Sequence, residues 1–230
     1  MPKQPPEDPS DALDQTETLF DQCRILGMDS IPLSTRERPE DEERTALDLS
    51  KEWEALIEEI LTCTKCPLHL TRTNAVPGGG DRNAQLVFIG EAPGFHEDRQ
   101  GQPFVGRAGD LLTRMIAAMG FTRDQVYICN IIKCRPPQNR DPMPLEIEMC
   151  EPYLIRQLEL LRPRAIVTLG RYSSQTLLRE TTGIGKLRGR LREYHGIPLM
   201  PTYHPAALLR NPNLKGDTWE DLKRVMEILE

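Results

Sequence analysis

The sequence predicts an α/β fold, a three-layer α/β/α sandwich around a central four-stranded parallel sheet. Two observations carry that prediction. Four short apolar segments recur at wide intervals: AQLVFIG (84–90), QVYICNII (125–132), RAIVTLG (164–170) and IPLMPTY (197–203). Stretches of helical periodicity separate or follow them. Strands alternating with helices read as parallel, because parallel neighbours need crossover connections, and these are nearly always right-handed.

The elements follow in order. KEWEALIEEIL opens the folded region as an amphipathic helix, with Trp53, Leu56, Ile57, Ile60 and Leu61 on its apolar side. DLLTRMIAAMG, ending at Gly120, bridges the first and second strands, and LEIEMCEPYLIRQLELL bridges the second and third. GRYSSQTLLRE follows the third strand. TWEDLKRVMEILE follows the fourth, with Thr218 read as its N-terminal cap. No internal repeat is evident.

At 230 residues and 38% hydrophobic, the chain can bury one sizeable core, which predicts one folded domain with an extension. Residues 1 to 50 carry thirteen acidic and five basic residues, a balance of −8, leaving 24 basic and 22 acidic residues, or +2, for the rest. The acidity therefore belongs to the amino-terminal segment and does not argue against a nucleic-acid partner. Residues 1–48 are read as an acidic, mostly disordered extension and 49–230 as the functional domain. Within the extension, DALDQTETLFDQCRIL spaces Leu13, Leu19, Phe20, Cys23 and Leu26 like a short helix able to dock on another protein; a plain solubilising linker is the simpler reading. No apolar run approaches the ~18 residues of a membrane span, and MPKQPPEDPS has no signal-peptide core. A soluble, cytoplasmic protein without a membrane partner is expected.

A parallel sheet of this kind binds ligands in the crevice at the carboxyl ends of its strands. The Gly90-Glu91-Ala92-Pro93-Gly94 turn leaves the first strand, Asn130 lies near the end of the second, and His204 leaves the fourth. Each alone is also what a turn, a cap or a structural histidine provides. Their convergence on one edge, required by the topology, makes them a candidate site.

The cysteines form a second constellation. Cys63 and Cys66 lie in CTKCP, Cys134 in KCRPP, and Cys150 on the following helix. In a cytoplasmic chain four such thiols point to metal ligation rather than disulfides. Zinc and an iron-sulfur cluster are both compatible with this spacing. Cys129, on an apolar strand, reads as a packed thiol.

The ordered set CxxC, GEAPG, FVGRAG, NIIKCRPPQNR and HPAALLRN resembles the iron-sulfur uracil-DNA glycosylases of the family 4 type. The resemblance covers about residues 51 to 230. It implies a monofunctional glycosylase of DNA repair that hydrolyses the N-glycosidic bond of uracil in single- or double-stranded DNA and leaves an abasic site. It also implies a structural [4Fe-4S] cluster held by Cys63, Cys66, Cys134 and Cys150, and a monomer is expected.

The chemistry fits the residues that the resemblance assigns. The target base must leave the helical stack, at a cost of a few kcal/mol. Phe104 is expected to stack on it, a contact worth about 1–3 kcal/mol. The Asn130 amide offers a donor and an acceptor that match uracil O4 and N3–H, where cytosine presents the opposite pattern. His204 is expected to donate to uracil O2 as negative charge grows there, aided by backbone N–H groups of the Gly90 to Ala92 turn. Relatives with GQDPYH at this turn carry an Asp where Ala92 stands, so the group that positions water is left among the roles open to Glu91: orienting water, stabilising the cationic sugar, or bracing the loop. Glu97 is a candidate for excluding the thymine methyl.

GIGKLRGRLR brings Lys186, Arg188, Arg190 and Arg192 together, and Arg210 follows in ALLRN. A solvated basic face is the simpler reading; the resemblance implies contact with the DNA backbone, and entry of the HPAALLRN loop into the minor groove. GIG completes neither phosphate-loop pattern. Two rival functions are a same-fold protein that captures the abasic sugar covalently, and a non-catalytic metal-stabilised nucleic-acid binder. The first carries an extra basic loop with a His, whereas CRPPQNRDP is short and has none. The second has no need of Asn130, Phe104 and His204 together.

Overall fold

The computed structural model describes residues 46–230, which form one compact unit. The acidic extension up to residue 45, including the stretch expected to form a docking helix and Cys23, lies outside the described residues. The described residues begin with α1 (Ala46–Leu61), three residues ahead of the expected domain start at 49.

Four strands coincide with the four apolar segments: β2 (Leu86–Gly90), β3 (Tyr127–Asn130), β4 (Ala165–Leu169) and β6 (Ile197–Thr202). They pair in parallel in the order β3-β2-β4-β6. Two short strands that the sequence reading did not include extend the sheet to six: β1 (Gly79–Gly80), antiparallel to β3, and β5 (Arg192–Tyr194), antiparallel to β6. β5 and β6 are joined through His195 and Gly196, whose φ of 49° and 78° are the paired positive angles that a tight hairpin turn requires. Neither edge strand has an alternating apolar pattern, which is why neither was legible.

Period-two alternation divides the sheet between two cores. Val87, Ile89, Cys129 and Ile166 face one layer, packed with Trp53, Leu56 and Ile60 of α1 and with Leu154 and Leu158 of α4 (Pro144–Leu161). Leu86, Phe88, Ile128 and Val167 face the other layer. There they meet Leu112 and Ile116 of α3 (Gly106–Ala118) and Leu222 and Val225 of α8 (Leu214–Leu229). Burial on both faces explains why the strands read as continuous apolar runs. Shorter helices complete the unit: α2 (Phe95–Gln100) after β2, α5 (Arg171–Leu178) after β4, α6 (Ile184–Leu187), and α7 (Pro205–Arg210) after β6.

One cap differs from the expectation. α8 starts a full turn before Thr218, with Asn213 in the cap position, and the Thr218 hydroxyl donates back to the Leu214 carbonyl at 3.0 Å. Thr218 is thus buried inside the helix. No helix among the described residues is long and apolar enough to cross a membrane.

Candidate active site

The crossover to β3 leaves β2 on one side while β4 and β6 continue on the other, so the order reverses at the carboxyl end of β2, where open α/β sheets bind ligands. An open cleft of about 850 Å³ lies there, lined by Glu91, Glu97, Phe104, Asn130 and His204, among others.

Gly90 and Asn130 are register partners at the ends of adjacent strands. A Cβ on Gly90 would come within 2.4 Å of Asn130 Oδ1 and 2.6 Å of Phe104 Cζ. Glycine therefore lets the Asn130 amide and the Phe104 ring close on the same backbone. Phe104 is buried, with a φ of 49° that non-glycine residues rarely adopt. Two features hold it there. The carbonyl of Phe104 sits where a Cβ of Gly109 would be, at 1.9 Å. Arg123 Nη2 donates to the carbonyls of Pro103 at 2.5 Å and Phe104 at 3.2 Å.

His204 caps α7. Its Nδ1 accepts the Ala206 N–H at 3.1 Å, which assigns the ring proton to Nε2. Burial, and secondarily Arg210, push its pKa down to about 4, so near neutral pH it is an uncharged imidazole with one N–H to donate. Its ring stacks beside Phe104, with centroids 5.6 Å apart and planes at 30°. Gly170, at φ +98° after β4, clears space for it: an added Cβ would stand 3.0 Å from His204 Cβ.

Glu91 lies on the cleft wall, part-buried. Burial, and then the charge of Asp141, push its carboxyl up to about 7 against the opposing pull of Arg171. Ala92 beside it is part-buried and carries no polar side chain. Glu97, in the first turn of α2, accepts the Val105 N–H at 3.1 Å, tying α2 to the loop that carries Phe104.

Cys63, Cys66, Cys134 and Cys150 all line one small separate cavity, bringing together three distant parts of the chain. Donors point at two of the sulfurs: Arg72 Nη1 to Cys134 Sγ at 3.0 Å and Lys133 N–H to Cys150 Sγ at 3.2 Å. Such donors suit anionic ligand sulfurs. Burial pushes the Cys150 thiol up to about 12, so as a free thiol it is protonated and unreactive near neutral pH. Among the described residues no three His, Cys, Asp or Glu side chains gather closely enough for a single metal ion. Four thiols on one cavity, two of them facing hydrogen-bond donors, are by their chemistry a donor set suited to an iron-sulfur cluster. Cys129 is buried on β3 and is not among the residues that line this cavity.

Lys186, Arg190 and Arg210 are exposed. Arg188 is not: its Nε and Nη2 donate to Asp221 at 2.9 and 2.7 Å, and Nη2 also donates to the Asp217 carbonyl. It pins the basic loop to α8, and its guanidinium is not turned outward like those of its neighbours. Arg192 lies 3.5 Å from Glu180.

Sequence reasoning missed two residues that support the site. Arg123 carries no signal in FTRDQV. Lys133 does carry one, as a lone cation in the run NIIKC. It is 1% exposed, and its Nζ donates to Asn130 O and Gln157 Oε1, both at 2.7 Å.

Residues 77–223 match the model of the uracil DNA glycosylase superfamily. The chain is 47% identical over 181 residues to a type-4 uracil-DNA glycosylase of Archaeoglobus fulgidus, covering 75% of this chain and 91% of that protein. It is 48% identical over 184 residues to one from Sulfurisphaera tokodaii (76% and 84%), and 42% identical over 181 residues to one from Thermotoga maritima (77% and 94%). With the cleft, the four-cysteine cavity and these matches together, the chain belongs to the uracil-DNA glycosylase superfamily and, within it, to the type-4 uracil-DNA glycosylases.

Proposed function

We propose that this enzyme flips uracil out of DNA into the cleft, hydrolyses its N-glycosidic bond, and releases free uracil to leave an abasic site. The observation that carries this reading is the meeting of Asn130, Phe104 and a neutral, Nε2-protonated His204 in one cleft. Phe104 stacks on the base, and its preset backbone spares the ordering cost at binding. The Asn130 amide selects uracil over cytosine. His204 donates to uracil O2 as the base departs with negative charge, and N–H groups from Gly90 to Ala92 assist. A neutral donor needs no proton transfer, so the base leaves as a stabilised anion.

Glu91 is assigned to the positive charge on the sugar and to its attacking water. Ala92 offers no competing group. Glu97 is assigned to excluding the thymine methyl, a role compatible with its bond to Val105 N–H on the cleft wall.

Cys63, Cys66, Cys134 and Cys150 would hold a [4Fe-4S] cluster, which supplies a structural tie between α1, the loop after β3, and α4. In this reading residues 49–230 act as a monomer on single- or double-stranded DNA in the cytoplasm. Lys186, Arg190 and Arg210 meet the phosphates, Arg188 anchors the loop behind them, and residues 1–48 serve as a solubilising linker.

The test is incubation of cluster-loaded protein with uracil, thymine and cytosine oligonucleotides, then alkali and a denaturing gel. Alkali-dependent cleavage at uracil alone is expected, with weaker uracil selectivity in Asn130→Asp. A stable protein–DNA band would replace this reading with covalent capture, and intact oligonucleotide would leave a binding module.

A further inference from the structure

Phe95 stands apart from the other aromatic residues of the cleft. It lines the same cleft as Phe104 and His204, yet its side chain is 48% exposed at the lip. About half of the ring is covered by its neighbours and half is open to solvent within the cleft. Its surroundings fit a ligand. The guanidinium carbons of Arg135 and Arg99 lie 5.1 and 5.8 Å from the ring centroid, and His96 meets it edge-on at 5.4 Å. Arg107, also on the cleft wall, is exposed.

The mount is firm. Asp98, three residues on in α2, is buried and accepts the Thr73 N–H at 2.8 Å, which fixes the helix to the loop after the cysteine pair. Arg135 is steadied by its Nε donating to Asn139 Oδ1 at 2.7 Å. An aromatic face fixed among cations is the arrangement with which proteins hold unpaired bases: the ring stacks, and the guanidinium groups meet phosphate. Phe104 is buried and Phe95 half-exposed in the same cleft, and the two rings have different ring partners, His204 and His96, which fits two bases rather than one.

We propose that Phe95, with Arg99 and Arg135, is a stacking subsite for the unpaired base next to the extruded uracil, and that it favours single-stranded or locally opened DNA. The proposal rests on the glycosylase reading above for the identity of the cleft's occupant. Paired in a duplex, the neighbouring base keeps its own stacking partners and gains nothing from the ring.

The experiment uses the full, cluster-loaded chain and a single-stranded oligonucleotide carrying an uncleavable 2′-fluoro deoxyuridine. Affinity is measured for wild type, Phe95→Ala, Phe95→Leu and Phe95→Trp, with 2-aminopurine placed on either side of the uracil as a stacking reporter. Loss of a base–aromatic contact predicts a rise in Kd of about five- to a hundredfold in Phe95→Ala. Phe95→Leu, which keeps an apolar side chain without the ring, fails to restore it, and Phe95→Trp restores it. The reporter on one flank changes with wild type and not with Phe95→Ala, and inhibition by free uracil is the same in all four proteins. Unchanged affinity in Phe95→Ala with no reporter change on either flank overturns the subsite. So does a Phe95→Leu variant that binds like wild type. Failure of the glycosylase reading would show separately, as wild type that neither excises uracil nor is inhibited by it.

Discussion

The ammonium of Lys133 donates to the main-chain carbonyl of Asn130 at 2.7 Å, deep in the protein, and its second acceptor is the neutral Gln157 amide. The backbone N–H of the same lysine reaches Cys150 Sγ, and the next residue is Cys134. One buried residue therefore links the strand end carrying Asn130 to the four-cysteine cavity. Gln157 extends the link, its amide donating to Pro77 O at 2.9 Å and Tyr127 Oη at 3.1 Å.

Replacing Lys133 by Met would leave two buried acceptors without their donor, at about 1–3 kcal/mol each. The expected outcome in cluster-loaded protein is a lower thermal midpoint together with a weaker preference for uracil over cytosine. Thermal melts and paired excision assays check both.

Gly90→Ala introduces a methyl group where Asn130 Oδ1 and the Phe104 ring already stand. Both are proposed to hold the base, so on that reading the clash displaces the recognition groups while the sheet hydrogen bonds remain. Excision is expected to fall by two orders of magnitude or more, with near-native circular dichroism. An excision time course beside the spectrum checks it.

Acid–base behaviour separates Glu91 from His204. With Glu91 raised to about 7 and acting as a carboxylate, kcat/KM should climb with pH and level off above about 7. His204, at about 4, adds no limb between about pH 5 and 8. Glu91→Gln should remove the limb along with most of the activity. Stability moves the other way. A carboxyl raised from 4.5 to about 7 on folding favours the native state when protonated, and this contribution is lost as pH rises between those values. Above about pH 7, Glu91→Gln should therefore be more stable than wild type, as denaturant titrations at pH 5 and 8 would reveal.

Two arginines in one basic loop should behave differently. Arg190→Ala or Lys186→Ala removes an exposed charge, so folding is expected to be unaffected, while the slope of log affinity against log salt shrinks by about 0.7–0.9 per lost phosphate contact. Arg188→Ala strands Asp221, which is 0% exposed and keeps only the Thr202 hydroxyl at 2.6 Å. Breaking a buried pair in this way costs about 3–5 kcal/mol. Salt titrations of DNA binding and unfolding curves distinguish the two.

By itself the amino-acid order determined the four parallel strands, because strands buried on both faces leave uninterrupted apolar runs such as LVFIG and AIVTL. It also singled out Asn130 and His204, since a parallel sheet gathers the residues at its strand ends, and the four cysteines by their spacing, while Phe104 became a candidate only through the resemblance of five ordered motifs. Tertiary structure decided what depends on neighbours distant in sequence. The direction of the Arg188 guanidinium was set by Asp221, thirty-three residues away. The tautomer of His204 was set by the Ala206 N–H, and the left-handed backbone of Phe104 by Gly109 and Arg123. The edge strands β1 and β5 exist because an ordered neighbour offered unpaired backbone groups, and a ladder of that kind needs no apolar pattern of its own.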